Sequence, residues 1–159
     1  MQIIKHKTIV EDSFQHVGEA EALPEGDVIV PLARWLIEKD KLRHREGKVG
    51  VRLGSDADPA ILQEDLDDLA VIAVEFPTFM DGRGYSIARL LRGRYGYQGE
   101  LRAVGDVMRD QMFYMQRCGF NAFEVKEGKD IRDALQGLDG FSVTYQASVD
   151  EKLPLYRRR

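Results

Sequence analysis

Arginine dominates the chemistry available to the second half of this 159-residue chain. Residues 82–117 contain seven arginines and no lysine against three acids, so this stretch carries a local charge of +4. The planar guanidinium of arginine binds carboxylates and oxyanions through paired hydrogen bonds, which the ammonium of lysine does not do. The pattern predicts an anion-binding surface, and a basic face in contact with solvent is the simpler alternative.

Two loops bring arginines to the ends of predicted strands. Residues 81–89 follow the apolar run at 71–76, and residues 105–109 follow the run at 101–104. Because neighbouring parallel strands end at the same edge of a sheet, we expect both loops to share one rim and their arginines to converge on one pocket. Glycines in a loop that opens a helix also favour an anion. The predicted ligand-binding residues are Asp81, Gly82, Arg83, Gly84, Tyr85, Ser86, Arg89, Arg102, Gly105, Asp106 and Arg109.

Each of these residues also has a purely structural interpretation. Asp106 can cap the following helix, Asp81 can form an Asx-turn before a glycine, and each arginine can simply pair with a carboxylate. Tyr85 fits a packing role with its hydroxyl in solvent. Glu75 is the lone acid of an apolar strand, which places it either near solvent or among buried groups. The sequence leaves these alternatives open.

The residue types give little support to other catalytic chemistry. All three histidines, His6, His16 and His44, precede the regular βα region, so no Ser-His-Asp or Cys-His pair is predicted within that region. Cys118 is predicted to be a core residue, and one cysteine builds neither a zinc site nor an iron–sulfur cluster. The glycine-rich loop departs from the dinucleotide-binding fingerprint because Ile87 stands at the third glycine position. We therefore assign no catalytic residue, metal or cofactor, and redox chemistry would need a bound cofactor or a partner protein.

Short apolar runs predict the elements that position the loops. From residue 49 they recur at 49–53, 71–76, 101–104, 122–125 and 141–145, with helical patterns between them. Alternation of strands and helices at this spacing implies right-handed crossovers and a mainly parallel sheet. The sequence predicts an α/β fold of repeated βα units, as either an open doubly wound sheet or a partial barrel.

The segments before the βα units are less regular. Residues 2–10 alternate weakly and predict a single edge strand, whereas residues 18–27 have the composition of a loop. No linker divides the chain, so a single domain is predicted. Its predicted parts are residues 1–27 as N-terminal edge strand and loop, 28–48 as a helical segment, 49–146 as the βα core and 147–159 as a tail.

Aspartates mark the predicted starts of three helices. Asp58, Asp106 and Asp130 each stand where an N-cap is expected. The helix after Asp58 is expected to bury Ile61 and the leucines that follow it. The methionine stripe at 108–115 is expected to lie in the core rather than around a cofactor.

Composition limits the class of protein. The net charge is −4, so generic nucleic-acid binding is not expected. The longest apolar run, at 69–74, is far too short to span a membrane, and the first residues lack a charged-then-apolar signal pattern. With a single cysteine in the chain, we expect a cytoplasmic protein with neither nucleic-acid nor membrane partners. Homo-oligomerisation stays open.

Several segments together resemble a known bacterial family. They are Phe76-Pro77, Phe79, Asp81-Gly82-Arg83-Gly84-Tyr85-Ser86, Ala88-Arg89-Leu90-Leu91-Arg92, Gly96-Tyr97, Gly99-Glu100-Leu101-Arg102-Ala103-Val104-Gly105-Asp106-Val107, Arg109-Asp110-Gln111 and Arg117-Cys118-Gly119-Phe120. The family consists of small proteins of unknown function that are described as oxidoreductases involved in sulfite reduction. The resemblance is specific over residues 76–123 and weaker over residues 28–146.

The resemblance implies a role in sulfur assimilation, because genes of this family typically lie beside those for assimilatory sulfite reductase and adenylylsulfate-type reductases. It transfers no catalytic residues. Three functions are compatible with it: an accessory protein that binds an oxyanion or an anionic cofactor, a module that docks on sulfite reductase or its electron donor, and an oxidoreductase with a bound flavin or nicotinamide. An arginine-lined rim suits a sulfur oxyanion, a phosphate or an acidic partner.

Overall fold

The computed structural model describes residues 1–78 and 80–139, which form four α-helices, a π-helical segment at Leu90–Arg94, short 3₁₀ turns and one eight-stranded sheet. The strands are β1 (Gln2–Lys5), β2 (Thr8–Glu11), β3 (Phe14–His16), β4 (Asp27–Pro31), β5 (Val49–Leu53), β6 (Val71–Phe76), β7 (Glu100–Gly105) and β8 (Ala122–Phe123). The helices are α1 (Leu32–Arg43), α2 (Arg83–Arg89), α3 (Arg109–Cys118) and α4 (Ile131–Gln136). The strand order is β2-β1-β8-β7-β6-β5-β4-β3.

The sheet confirms the predicted α/β class. Strands β3 to β8 pair in parallel with their sequence neighbours, and only β1 runs antiparallel to its two partners, β2 and β8. Strands β5 and β6 have the bounds that the apolar runs predict. The predicted strand at 141–145 and the predicted tail lie outside the described residues.

The sheet curls into a half-barrel. If it were flat, β3 and β8 would be five strand spacings apart, about 24 Å at about 4.8 Å per spacing. Yet Nε2 of His16, at the end of β3, lies 2.7 Å from Oε2 of Glu124, which directly follows β8. Only strong curvature brings these groups together, so the structure selects the partial barrel from the two predicted architectures.

The chain itself joins the two edges of the sheet. Strands β2 and β3 are the opposite ends of the hydrogen-bonded order, but only Asp12 and Ser13 separate them in sequence. Three consecutive Cα–Cα steps span at most about 11 Å. The two edge strands are therefore neighbours in space, and the link of Asp12 and Ser13 bridges the seam between them.

The two faces of the sheet carry different cores, because successive residues of a strand point to opposite faces. On the convex face, Val74 packs into a large core that also buries Trp35 of α1 and Met112 of α3. The concave face holds a small apolar cluster, which consists of Ile29, Val71, Ala73 and Val104. Charged side chains share this concave face with the cluster.

The N-terminal prediction of one edge strand is wrong. Residues 2–5 and 8–11 form a hairpin whose turn is made by His6 and Lys7, with φ of 51° and 63°. Strand β1 is internal, because it pairs with both β2 and β8. The three-residue strand β3, which the sequence analysis treats as irregular, closes the far edge of the sheet.

The predicted helix between β5 and β6 is also wrong. Two separate 3₁₀ turns, Pro59–Leu62 and Leu66–Asp68, occupy this stretch, and Ile61 is 49% exposed. The reason lies in Asp65, whose carboxylate is buried and accepts hydrogen bonds from the Trp35 indole and from Lys39 and Arg43. These hydrogen bonds hold the Asp65 carboxylate in the interior. A regular amphipathic helix would instead place this acid on its solvent-facing side.

Two of the three predicted N-caps are confirmed. The Asp58 carboxylate accepts the backbone N–H of Ala60 at 3.0 Å, and the Asp130 carboxylate accepts that of Arg132 at 2.9 Å. Asp106 is not a cap, because α3 begins only at Arg109 and Oδ1 of Asp106 lies 2.9 Å from Nζ of Lys126. The prediction of a methionine and cysteine core is confirmed for Met112, Met115 and Cys118, which are all buried, but not for Met108, which is half-buried and precedes the first residue of α3.

Candidate functional site

An ion pair closes the first predicted loop from within. Nη2 of Arg83 lies 2.7 Å from Oδ2 of Asp81, and its Nε donates to Oδ1 at 3.0 Å. The same oxygen accepts the backbone N–H of Arg83, which makes the Asx-turn. These hydrogen bonds from Arg83 hold the pKa of the Asp81 carboxyl well below its usual range. Gly82 is the N-cap residue of α2, and Ser86 is exposed on that helix.

Tyr85 and Gly84 pack against the end of β6. The Tyr85 ring centroid lies 5.2 Å from that of Phe76 and 4.9 Å from that of Tyr114. Burial raises the pKa of the Tyr85 hydroxyl. A Cβ on Gly84 would lie 2.7 Å from the Phe76 ring, so only glycine allows this approach. These contacts agree with the structural interpretation of both residues.

Arg102 lies in the interior and not at the predicted rim, with a side chain that is 1% exposed. Its two terminal nitrogens bind both carboxylate oxygens of Asp12 at 2.7 and 2.9 Å. Nε donates to Glu100 at 2.8 Å, and Nη1 also donates to Glu124 at 2.7 Å. We call these four residues the Arg102 cluster. Its three carboxylates already bind the guanidinium, so an external anion would have to displace them.

The remaining predicted residues have separate partners. Nη1 of Arg109 lies 2.7 Å from Oδ1 of Asp133, which belongs to α4. Gly105 ends β7 with φ of +96°, and a Cβ there would lie 2.5 Å from the carbonyl oxygen of Phe76. Arg83, Arg102 and Arg109 thus form ion pairs with different carboxylates. Their shared role in ligand binding stays a prediction.

A different set of arginines lines an open pocket between α2 and α3. Its volume is about 400 Å³. Its lining residues are Arg89, Arg92, Gly93, Gln116, Arg117, Cys118 and Gly119, and we call it the arginine pocket. Among the described residues that line it, none is an acid. Of the predicted site residues, Arg89 belongs to this pocket.

Backbone and ring contacts fix the arginines of this pocket. Arg92 is half-buried and donates to the carbonyl oxygens of Tyr97, Gly99 and Gly119 at 2.8–2.9 Å. Burial lowers the pKa of its guanidinium. Arg89 is exposed and donates to the hydroxyl of Tyr114. Arg92 therefore contributes a fixed positive charge, whereas Arg89 presents its guanidinium to solvent.

The concave face of the sheet opens into a second pocket, of about 420 Å³. Its lining residues are His16, Val17, Gly18, Glu21, Arg52, Glu75, Val104, Gly105 and Glu124, and we call it the concave pocket. Strands β3, β5, β6 and β7 and the residue after β8 each contribute to it. It lies where ligand sites form in parallel α/β proteins, at the carboxyl ends of the strands.

His16 is a candidate functional residue that no sequence pattern indicates. Its Nε2 lies 2.7 Å from Glu124, and its Nδ1 lies 2.9 Å from Nη1 of Arg52. A guanidinium only donates, so Nδ1 accepts from Arg52, and Nε2–H donates to Glu124. Burial alone would raise the pKa of the Glu124 carboxyl, but hydrogen bonds from His16 and Arg102 outweigh it and lower the pKa.

Glu75 also lines the concave pocket, and its side chain is exposed. Of its two predicted positions, the structure shows the one near solvent. The sequence holds no signal that joins Glu75 to His16, because the two lie on strands that are not neighbours in the sheet. Only the curvature of the half-barrel brings both to one pocket.

Three carboxyl groups with lowered pKa values determine how the stability of the protein responds to acid. The pKa values of Glu124, Asp65 and Asp27 are all lower in the folded protein than their ordinary values of 4.5, 3.8 and 3.8. Below about pH 4.5 the unfolded chain therefore binds more protons than the folded one, and stability falls as the pH falls. We expect the free energy of unfolding, measured with urea, to be nearly constant from about pH 7 to 5 and to drop steadily toward pH 3. Unchanged stability at pH 3 would contradict this linkage.

Within residues 1–78 and 80–139, no helix combines the length and the apolar character that crossing a bilayer requires.

Comparison with known proteins places the chain in a family. No curated protein and no solved structure matches it. A family model described as a bacterial protein of unknown function (DUF934) matches residues 50–156, about two-thirds of the chain. The match includes every residue of the arginine pocket, whereas His16 precedes it. The chain therefore belongs to the DUF934 family of bacterial proteins of unknown function.

Proposed function

We propose that this protein is an accessory protein of assimilatory sulfite reduction that binds an anion in the arginine pocket. The ligand is a sulfur oxyanion or the sulfate or phosphate group of an anionic cofactor, and the protein acts in the cytoplasm. The observation that supports this most is the lining of the pocket, where three guanidinium groups surround about 400 Å³ and none of the described lining residues is an acid.

The electrostatics of this pocket differ from those around the other arginines. The charges of Arg83, Arg102 and Arg109 are each compensated by carboxylates within 2.8 Å. Within the arginine pocket, Arg89 donates to a tyrosine hydroxyl and Arg92 to backbone carbonyl oxygens, so these two guanidinium groups pair with uncharged acceptors and their positive potential adds up. The guanidinium of Arg89 supplies exposed donors for an oxyanion, and charge-assisted hydrogen bonds of this kind are the stronger ones.

The family resemblance connects this pocket to sulfur chemistry. Arg89 and Arg92 lie in one segment that carries the resemblance, and residues 117–119 lie in another. The pocket is thus built from segments that resemble proteins associated with sulfite reduction. Cys118 is 2% exposed and has a packing role in this proposal, so the protein binds the anion without a thiol step.

A second candidate is a docking surface for sulfite reductase or its electron donor. Tyr114, which is 45% exposed, lies against Arg89, and Leu90 is 37% exposed beside it. Arginine and tyrosine side chains are enriched at the energetically dominant positions of protein interfaces. In this case an acidic surface of the partner occupies the arginine pocket, and association weakens steeply with salt.

Calorimetric titration with sulfite, sulfate, adenylylsulfate and NADPH tests anion binding. We expect at least one of these ligands to bind, and Arg89→Ala to weaken that binding by about tenfold or more through loss of one charge-assisted contact. Arg89→Lys should restore part of the affinity because it keeps the charge. Arg83→Ala is the matched control, because Arg83 pairs with Asp81 outside the pocket, and it should bind as the wild type does. Absence of heat with all four ligands would rule out the small-anion form of the proposal.

The docking candidate has its own test. Purified sulfite reductase and its electron donor are passed over the immobilised protein at low and high salt. Capture that is lost with Arg89→Ala, together with no calorimetric heat from small anions, would select the docking function. Loss of sulfite-dependent growth in a host that carries Arg89→Ala but not Arg83→Ala would link either form to the pathway.

A further inference from the structure

We infer that the concave pocket is a second anion site, selective for a small oxyanion that still carries a hydroxyl group, with His16 as its proton acceptor. Inorganic phosphate has this chemistry and sulfate does not. The site is independent of the proposed function. It lies on the concave face of the sheet, whereas the arginine pocket lies between helices on the convex face.

Hydrogen-bond donors and acceptors both face the concave pocket. Arg52 offers N–H donors, and Nδ1 of His16 offers a lone pair that Arg52 now occupies at 2.9 Å. Glu75 adds a carboxylate acceptor at the same opening. A ligand that inserts between Arg52 and His16 must accept a hydrogen bond from the first and donate one to the second. A protonated oxyanion does both through its O⁻ and O–H groups.

The acids around the pocket sharpen this selectivity. Glu21, Glu75 and Glu124 line it together with a single guanidinium, that of the half-buried Arg52. A sulfate dianion brings no hydrogen to these acceptors, and it would leave Nδ1 of His16 facing a second lone pair.

The Arg102 cluster holds His16 in the orientation that this site needs. Oε2 of Glu124 accepts from both His16 Nε2 and Arg102 Nη1 at 2.7 Å, so the carboxylate cannot rotate away without breaking two charge-assisted contacts. Arg102 itself is fixed by Asp12 and Glu100. The imidazole therefore keeps Nε2–H toward Glu124 and Nδ1 toward the pocket.

Proton transfer follows from this arrangement. The ligand O–H bond breaks, its proton moves to Nδ1, and the electron pair stays on the ligand oxygen. The imidazolium that forms lies between the Glu124 carboxylate and the newly charged ligand, and both stabilise it. Arg52 then binds the ligand anion. Return of the proton restores the starting state, so the step needs no oxidant or other reactant.

The test uses nitrogen NMR of the full chain together with calorimetry at neutral pH, where inorganic phosphate always carries an O–H and sulfate never does. The His16 signals are assigned with His6→Gln and His44→Gln variants, since both of these histidines are exposed. We expect phosphate, but not sulfate, to move the Nδ1 resonance of His16 toward that of a protonated nitrogen. We also expect phosphate to bind about tenfold more tightly than sulfate, a difference that Arg52→Gln removes.

Each result of this experiment either supports the proposed phosphate site or contradicts it. A shift of Nδ1 with phosphate alone supports the site. Equal shifts with both anions overturn the selectivity, and no shift with either overturns the site, whether or not Arg52→Gln folds, because the measurement is made on the unaltered chain. The His16 signal reports only on the concave pocket, so sulfate heat that Arg89→Ala removes would support the arginine pocket without affecting this conclusion.

Discussion

Replacing Arg102 by methionine is expected to lower the free energy of unfolding by about 3–5 kcal/mol, the usual penalty for breaking a buried ion pair. The substitution leaves the carboxylates of Asp12, Glu100 and Glu124 in the interior without their shared cation. Their side chains are only 3–11% exposed, so water does not compensate for the loss. Urea denaturation at neutral pH measures the effect.

Arg109→Met is the matched control for this substitution. The pair of Arg109 with Asp133 has the same length of 2.7 Å, but its side chains are 47% and 55% exposed. Solvent screens such a pair, and its loss should cost less than about 1 kcal/mol. The deficit of Arg102→Met should also shrink in acid, because Arg102 helps to lower the pKa of the Glu124 carboxyl and this contribution is lost once that carboxyl is protonated. Equal losses for the two variants would show that the Arg102 cluster does not stabilise the fold.

Gly105→Ala is expected to lower the free energy of unfolding by about 3 kcal/mol or more, from strain and overpacking together. Gly105 has φ of +96°, which disfavours any residue with a Cβ. The new Cβ would also lie 2.5 Å from the carbonyl oxygen of Phe76, a backbone atom that cannot move aside cheaply. Thermal and urea unfolding measure the loss.

Two other glycines separate these causes. Gly96 has φ of +70° but nothing within 4 Å of an added Cβ, so Gly96→Ala should cost only the strain, about 1 kcal/mol. Gly82 has φ of −83° and equally open surroundings, so Gly82→Ala should change stability by less than about 0.5 kcal/mol. If Gly105→Ala lowers the free energy of unfolding no more than Gly96→Ala does, the contact of the added Cβ with Phe76 does not contribute to the loss.

The parallel strands could be predicted from sequence because each is a local apolar run. Residues 49–53 and 71–76 give both the position and the length of their strands. The stretch after Asp58 misled the analysis because leucines at helical spacing surround Asp65. The buried partners of Asp65 lie on α1, more than 20 residues earlier, so no local pattern reveals them.

The candidate site could also be predicted from the sequence only in part. The excess of arginine could be read directly from residues 82–117, but which arginines are compensated depends on distant acids. Asp12 is 90 residues from Arg102, and Glu124 is 108 residues from His16. Strand β3 has only three residues, too few for a periodic pattern, so the sequence indicates no reason to place His16 at the carboxyl ends of the strands.

The two-residue link between the edge strands has a consequence for biosynthesis. A ribosome releases the hairpin and β3 first, but Arg102, β8 and Glu124, which pair with them, are made about 90 residues later or more. Contacts of such long sequence separation form slowly, and unpaired strands are prone to aggregation in the meantime. Until β8 has left the exit tunnel, strand β1 therefore keeps one edge without its partner strand.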